Sequence, residues 1–300
     1  MNDPILPMPH SAGRRPEPGL HLVATPIGSA RDITLRALDT LAGADVLAAE
    51  DTRTLRHLME IHGIPVNGRL MIPYHDHNGE AARPRILGVL AEGKSVAYAS
   101  EAGTPLIADP GLKLARVAMD AGYKVIAAPG ASAVLTALTV AGLPTDRFFF
   151  AGFAPSTATA RRSWLSELSA VRATVVIYES PKRTARTLSD LAEIFGANRQ
   201  AAVCRELTKR FEETRRGTLA ELAAHYAQGD PRGEVVLVID RSDEVVVEAA
   251  DVEAALRAAL GGGARVKEAA AEIALKFGLA KRDVYQLALT LQEDEPPSEA

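Results

Sequence analysis

The sequence predicts an α/β protein of two αβ units followed by a small helical piece. Three observations carry that expectation. Over the first 155 residues, short apolar runs alternate with segments of helical periodicity, the pattern of a largely parallel sheet with helices on its faces. Over residues 156–240 the alternation is less regular, which suggests a mixed sheet. After Asp240 an acidic linker leads into three helical segments.

The elements are justified in chain order. Residues 1–18 are rich in Pro and polar side chains, lack the apolar stretch of a signal peptide, and read as a disordered leader. The first αβ unit is expected over 19–155. Residues 20–24 are its first strand. Asp32 can cap a helix whose Ile33, Leu35, Leu38 and Leu41 recur at helical spacing, with Gly43 ending it. Residues 46–49 are the next strand, and a helix over 54–62 stops at Gly63 with Pro65 behind it. Later strands fall at 95–99, 124–128 and 147–152. The second unit, 156–242, opens with a helix carrying Arg161 and Arg162, which reads as a surface helix. A β-branched strand follows at 173–178. Ser180-Pro181 makes a cap and first-turn pair for a helix running to Phe195. Further strands are expected at 201–204, 211–217 and 234–239. The helical piece, 251–292, has helices at 251–260, 266–277 and 281–291. They are broken by Gly261-Gly262-Gly263 and by Gly278-Leu279-Ala280, which is helix-turn-helix spacing. Residues 293–300 form an acidic tail with two prolines.

Composition bounds the function. Hydrophobic residues are 47% and charged residues 24%, ordinary for a globular chain, and only 5% are aromatic, so the core is aliphatic. The single cysteine, Cys204, rules out an intrachain disulfide and a Cys-based zinc cluster. No apolar run is long enough to cross a membrane, and a cytoplasmic location is the default expectation. The net charge of −4 hides an asymmetry. Residues 156–216 carry 12 Lys and Arg against 7 Asp and Glu, whereas 217–300 carry 8 against 16. The basic middle reads either as a phosphate-facing surface or as solvated helix faces.

Four strand ends carry the chemistry. They are Thr25-Pro26-Ile27-Gly28-Ser29, the run from Ser100 to Gly111, Pro129-Gly130-Ala131-Ser132-Ala133, and Tyr178-Glu179-Ser180-Pro181-Lys182-Arg183. Each follows an apolar strand and precedes a helix. Small residues there let a ligand approach the backbone, although Gly and Pro can also simply make turns. Three such loops in one αβ unit favour a binding crevice beyond the strand ends. The loops nominate Pro26, Gly28, Glu101, Gly103, Thr104, Pro105, Leu106, Gly130, Ser132, Ala133 and Tyr178 as its lining. No Walker A run and no Gly-x-Gly-x-x-Gly after the first strand is present. Gly/Pro loops without a lysine suit a neutral or cationic ligand better than a triphosphate. The sulfonium of S-adenosylmethionine is one such ligand.

At these residues the chain resembles a known family, the ribosomal RNA small subunit methyltransferase I enzymes of the tetrapyrrole-methylase-like superfamily. The resemblance rests on Thr-Pro-Ile-Gly, the Ala-Ala-Glu-Asp-Thr-Arg run from Ala48 to Arg53, and the Tyr74 to Asn78 run. It continues in Ala-Gly-Thr-Pro-Leu-Ile, the Leu143 to Phe148 run, Tyr-Glu-Ser-Pro, and Arg-Glu-Leu-Thr-Lys from Arg205 to Lys209. It spans about residues 19–240, and the terminal helices resemble the family's small helix-turn-helix appendage. It implies a two-domain tetrapyrrole-methylase-like fold with S-adenosylmethionine in the cleft between domains. It also implies a homodimer that methylates the ribose 2′-OH of a cytidine in the decoding region of 16S rRNA. Two positions depart from the family pattern: Ser29 stands where Asn is usual, and Glu101 where Asp is usual.

Methyl transfer to a hydroxyl needs oxygen, methyl carbon and sulfur nearly collinear, and a base that takes the hydroxyl proton. The candidate bases are Glu50, Asp51, Glu179 and Glu206. Each also has a structural alternative, such as orienting Arg53 or pairing with Arg205 or Lys209. Arg53, His75, His77, Asn78, Lys182, Arg183, Lys209 and Arg210 are the candidate RNA contacts. His75 and His77 have no third ligand nearby, so no metal site is expected. A corrinoid or porphyrin-precursor C-methyltransferase is the nearest alternative. A non-catalytic DNA-binding regulator is a more distant one, disfavoured because the helical piece is acidic overall.

Overall fold

A computed structural model of the chain describes residues 15–241, 249–277 and 281–293. The chain divides at Arg241 into two compact units.

The larger unit contains two five-stranded sheets. The first alternates strands and helices: β1 (Gly19–Val23), α1 (Leu35–Gly43), β2 (Val46–Ala49), α2 (Thr52–Ile61), β3 (Leu70–Pro73), α3 (Gly79–Ala91), β4 (Ser95–Ala99), α4 (Gly111–Asp120), β5 (Val125–Ala128) and α5 (Ala133–Ala141). Its strand order is β3-β2-β4-β1-β5, and every pairing is parallel. β1, β2 and β4 are buried along their whole length. That explains why they read as unbroken apolar runs, since a parallel sheet is covered by helices on both faces. One face packs Leu20, Tyr74, Ile86 and Leu114, and the other packs Leu38, Leu41, Leu47 and Met59.

The second sheet is built from β6 (Phe148–Phe153), α6 (Ala158–Ser169), β7 (Thr174–Glu179), α7 (Thr184–Phe195), β8 (Gln200–Arg205), β9 (Glu213–Thr218), α8 (Leu219–Tyr226) and β10 (Val235–Ile239). Its order is β6-β7-β10-β8-β9, with β6 parallel to β7 and the other pairings antiparallel. The mixed sheet is as expected. α5, which leaves the first sheet, packs Val134, Ala137, Leu138 and Ala141 onto Val176, Ala202, Val236 and Val238 of the second. That helix fixes where the first-sheet loops lie against the second sheet.

The smaller unit holds α9 (Ala249–Gly261), α10 (Val266–Phe277) and α11 (Lys281–Glu293), packed through Val252, Leu256, Ala270, Ile273, Val284 and Ala288. Lys281, Arg282 and Asp283 are exposed at the start of α11.

Several expectations are corrected. The strand near residue 150 belongs to the second sheet, because β6 and β7 are the two parallel strands of a β-α-β unit joined by α6. β3 was not foreseen; it is a short edge strand ending in a proline. Thr34, not Asp32, caps α1, its side chain accepting from the Ala37 N–H. Residues 181–183 form a 3-10 turn before α7, and Ser180 makes no side-chain cap bond. Arg161 is buried: its Nε donates to Asp190 at 2.8 Å, and Arg162 reaches Asp190 and Glu193. The last residues of the expected leader are tied down, Arg15 to Asp45 at 2.6 Å and Glu17 to Lys124 at 2.6 Å. The rest of the leader, the linker 242–248, the turn 278–280 and the tail from 294 lie outside the described residues. Among the described residues, no helix is long and apolar enough to cross a membrane.

Candidate active site

The parallel neighbours β4, β1 and β5 bring three of the four nominated loops to one edge of the first sheet. Backbone bonds knit them together. The Thr25 N–H donates to the Gly103 carbonyl at 3.0 Å, and the Gly103 N–H returns to Thr25 at 3.1 Å. Thr104 Oγ1 donates to the Ala131 carbonyl at 2.9 Å, joining the second loop to the third. The long second loop is strained: Leu106 and Ala108 sit at φ 71° and 55°, in the left-handed region that side chains avoid. Asp109 holds its end, accepting from the Tyr98 hydroxyl at 2.8 Å and the Gly111 N–H at 2.7 Å.

The facing wall comes from the second sheet. It comprises Phe153, the residues after β7, Lys209, and the turn entering β10. Between the walls lies a cleft of about 730 Å³, within the usual range for small-molecule sites. Of the nominated residues, Pro26, Gly28, Glu101, Gly103, Thr104, Ser132, Ala133 and Tyr178 line it. Pro105 and Leu106 do not line it, and Gly130 faces a neighbouring hollow of about 520 Å³. The lining residues not foreseen include Thr54, Ile107, Asp109, Phe153 and the stretch from Gly233 to Val236. That stretch precedes a strand. It reaches the cleft because β10 runs antiparallel to β7, pairing Val235 with Glu179 and Val236 with Tyr178.

The candidate bases separate. Asp51 caps α2, accepting from the Arg53 N–H at 2.7 Å and Nη2 at 2.8 Å, and the arginine pulls its pKa down to about 2. Glu179 is fully buried. It accepts from the Ser180 N–H at 2.6 Å and Thr187 Oγ1 at 2.5 Å, and pairs with Arg183 at 2.6 Å. Glu206 accepts from the Glu234 N–H and from Lys209 Nζ, each at 3.0 Å, and these hold its pKa below the ordinary value. Glu50 alone of the four lines the cleft without a side-chain hydrogen bond among the described residues. Burial, then the charges of Glu101 and Asp109, raise its pKa.

The nominated RNA contacts separate too. Arg183 is held by Glu179, so it is a structural partner rather than a free cation. Asn78 shapes the turn after β3, its Oδ1 accepting from the His75 N–H at 2.8 Å and its Nδ2 donating to Pro73 at 3.0 Å. The His75 and His77 rings sit 6.1 Å apart. Arg53 engages Asp51 yet stays 90% exposed. Lys182 and Arg210 are exposed, the latter lying over the Phe211 ring. Lys209 lines the cleft, bridging Glu206 and Glu234. Among the described residues, no cluster of three metal-ligating side chains exists.

The cleft fits a cationic, flexible donor. Glu50, Glu101 and Asp109 line it together, and clustered carboxylates favour a positive ligand. The backbone also comes close: a Cβ at Gly103 would lie 3.2 Å from Ile27, with φ at +79°. Residues 19–223 match the family described as Tetrapyrrole (Corrin/Porphyrin) Methylases, and residues 246–292 match one described as RsmI C-terminal HTH domain. The chain belongs to the tetrapyrrole methylase family and is an S-adenosylmethionine-dependent methyltransferase.

Within that family it belongs with the enzymes named ribosomal RNA small subunit methyltransferase I. It is 46% identical over 278 residues to the one from Mesorhizobium japonicum, covering 92% of this chain and 93% of that protein. It is 38% identical over 289 residues to the one from Escherichia coli O157:H7, covering 94% and 99%. Among solved structures, the fold resembles a uroporphyrin-III C-methyltransferase from Thermus thermophilus complexed with S-adenosylhomocysteine, at TM-score 0.52 and 17% identity over 74% of this chain and 97% of that one. It also resembles a diphthine synthase, at TM-score 0.57 and 17% identity over 74% and 89%.

Proposed function

We propose that this protein methylates the ribose 2′-OH of a cytidine in the decoding region of 16S rRNA, within the small ribosomal subunit. The observation that carries this reading is the extent of the likeness to relatives named for small-subunit rRNA. It runs through both the methylase unit and the helical piece. The C-methyltransferases of the superfamily share only the fold, at under 25% identity.

Bound S-adenosylmethionine supplies an electrophilic methyl group on a sulfonium. The three knit loops of the first sheet hold and orient it, and Glu101 and Asp109 favour its positive charge. Glu50 takes the proton from the ribose hydroxyl. Its raised pKa makes it a stronger base than an ordinary carboxylate, and among the described residues no side-chain hydrogen bond competes for it. Lys209, pinned between Glu206 and Glu234, fixes the facing wall. Lys182, Arg210 and Arg53 serve the RNA backbone. The exposed start of α11 docks on RNA or ribosomal protein. The protein works in the cytoplasm as a homodimer, supported by the exposed Phe148 and Phe149 on edge strand β6.

The test is radiolabel transfer from the methyl donor to purified 30S subunits from a strain lacking the enzyme, followed by mass spectrometry of digested rRNA. The expected product is one 2′-O-methylcytidine. Label on a base, or acceptance of uroporphyrinogen instead of 30S subunits, overturns the proposal. Light scattering on the eluting protein tests the dimer.

A further inference from the structure

Phe153 is the last residue of β6, and the residue is 59% exposed on the cleft wall. A water-facing phenylalanine leaves apolar surface exposed that burial would favour, and here the backbone is bent to put it there. In a regular strand, side chains three residues apart point to opposite faces. Phe150 and Phe153 nevertheless both meet Tyr178, with ring centroids 4.8 and 5.3 Å away. The register slips between Phe150 and Gly152, so Ala151 is an extra residue, and Gly152 takes φ +78°. This bulge swings Phe153 onto the Phe150 face, a known use of bulges beside active sites. The half-buried ring of Tyr178 backs it at an interplanar angle of 66°.

The result is a solvent-facing aromatic plate on the wall opposite the three Gly/Pro loops. For an in-line displacement, the acceptor must come from the side away from the donor. We propose that Phe153 is the plate on which a nucleobase of the substrate RNA stacks, presenting the neighbouring ribose to the cleft. Single-stranded RNA is commonly read in this way, with unpaired bases splayed onto aromatic side chains. The proposal rests on the rRNA function above and adds a substrate-positioning residue to it. Phe153 belongs to none of the sequence motifs.

The test uses Phe153→Leu and Phe153→Trp in the full chain, with 30S subunits lacking the modification and with the methyl donor. Phe153→Leu keeps apolar bulk but loses the flat face. It should raise the KM for 30S subunits about tenfold, in line with the loss of one base–aromatic stack. Its affinity for S-adenosylmethionine, titrated calorimetrically, should be unchanged, which also reports that the variant is folded. Phe153→Trp should stay near the parent KM. The inference is overturned by an unchanged KM in Phe153→Leu, by donor affinity falling as much as 30S affinity, or by Phe153→Trp failing as far as Phe153→Leu. Failure of the parent protein to methylate 30S subunits would instead overturn the function.

Discussion

Gly28 lies directly against Lys209: a β-carbon on Gly28 would stand 2.5 Å from the lysine Cγ and 2.7 Å from Thr208 Oγ1. Lys209 cannot yield freely, because Glu206 and Glu234 hold its ammonium at 3.0 and 2.8 Å. The Leu207 carbonyl, at 3.0 Å, is backbone. The contact joins the first Gly/Pro loop to the facing wall, and the Ser29 N–H adds a bond to Thr208 Oγ1 at 3.1 Å. Gly28→Ala should therefore destabilise the protein by about 1–3 kcal/mol, the usual range for overpacking. It should also weaken donor binding. Denaturant melts and donor titration check both, and a variant equal to the parent in each would show that the wall gives way freely.

Glu50 links rate and stability with opposite signs. As a base it must be ionised, so kcat should fall at acid pH, with a midpoint above the ordinary glutamate value because its pKa is raised. A pKa higher in the folded than in the unfolded state favours folding while the group is protonated. That stability is lost as pH rises through the folded pKa. Glu50→Gln should thus lose about 100- to 10,000-fold in kcat yet melt higher at neutral pH. A kcat within a few-fold of the parent would move the base elsewhere.

Asp51 predicts the reverse pattern. Asn also caps helices, so Asp51→Asn should retain activity. The aspartate pKa is lowered to about 2, chiefly by Arg53. Its stabilising effect is present above the unfolded pKa near 4 and lost as pH falls toward 2. The variant's stability should therefore change less than the parent's between those values, as melts at stepped acid pH would reveal.

Lys182 and Arg183 are adjacent but should behave differently. Arg183→Ala leaves the buried Glu179 carboxylate without its cation. It should cost up to about 3 kcal/mol, as expected for breaking a buried pair whose arginine is partly exposed. Lys182→Ala should leave stability intact and lower the salt slope of RNA binding by about one. Equal salt slopes for the parent and Lys182→Ala would remove that lysine from the RNA surface.

Much of this was legible from local pattern. β1, β2 and β4 announced themselves as apolar runs because both faces of a parallel sheet are covered. The Gly/Pro loops marked one wall of the cleft because close backbone approach requires small residues. What stayed hidden depends on long-range pairing. Gly233 to Val236 sit at the start of a strand and reach the cleft only through antiparallel registry with β7. Phe153 is turned onto the cleft wall by a one-residue slip that no periodicity reveals. Arg161 read as a surface residue because Asp190, which buries it, lies on another helix. The four candidate carboxylates were equivalent as letters; only the donors around each distinguish Glu50 from the rest.

The strand orders set the sequence in which a nascent chain can complete itself. β1 lies between β4 and β5, so the first strand synthesised has no lateral neighbour until residues 95–99 have emerged and is flanked on both sides only after residue 128. β10 is the central strand of its sheet and the last to be made, so β7 and β8 have no shared neighbour until residues 235–239 appear. Such non-local closure is slow. The wall of the first sheet thus has all its strands by residue 128 and the facing wall only after residue 239, so a ribosome-stalled chain ending before residue 235 should not retain donor, whereas one released just after Arg241 has every strand it needs.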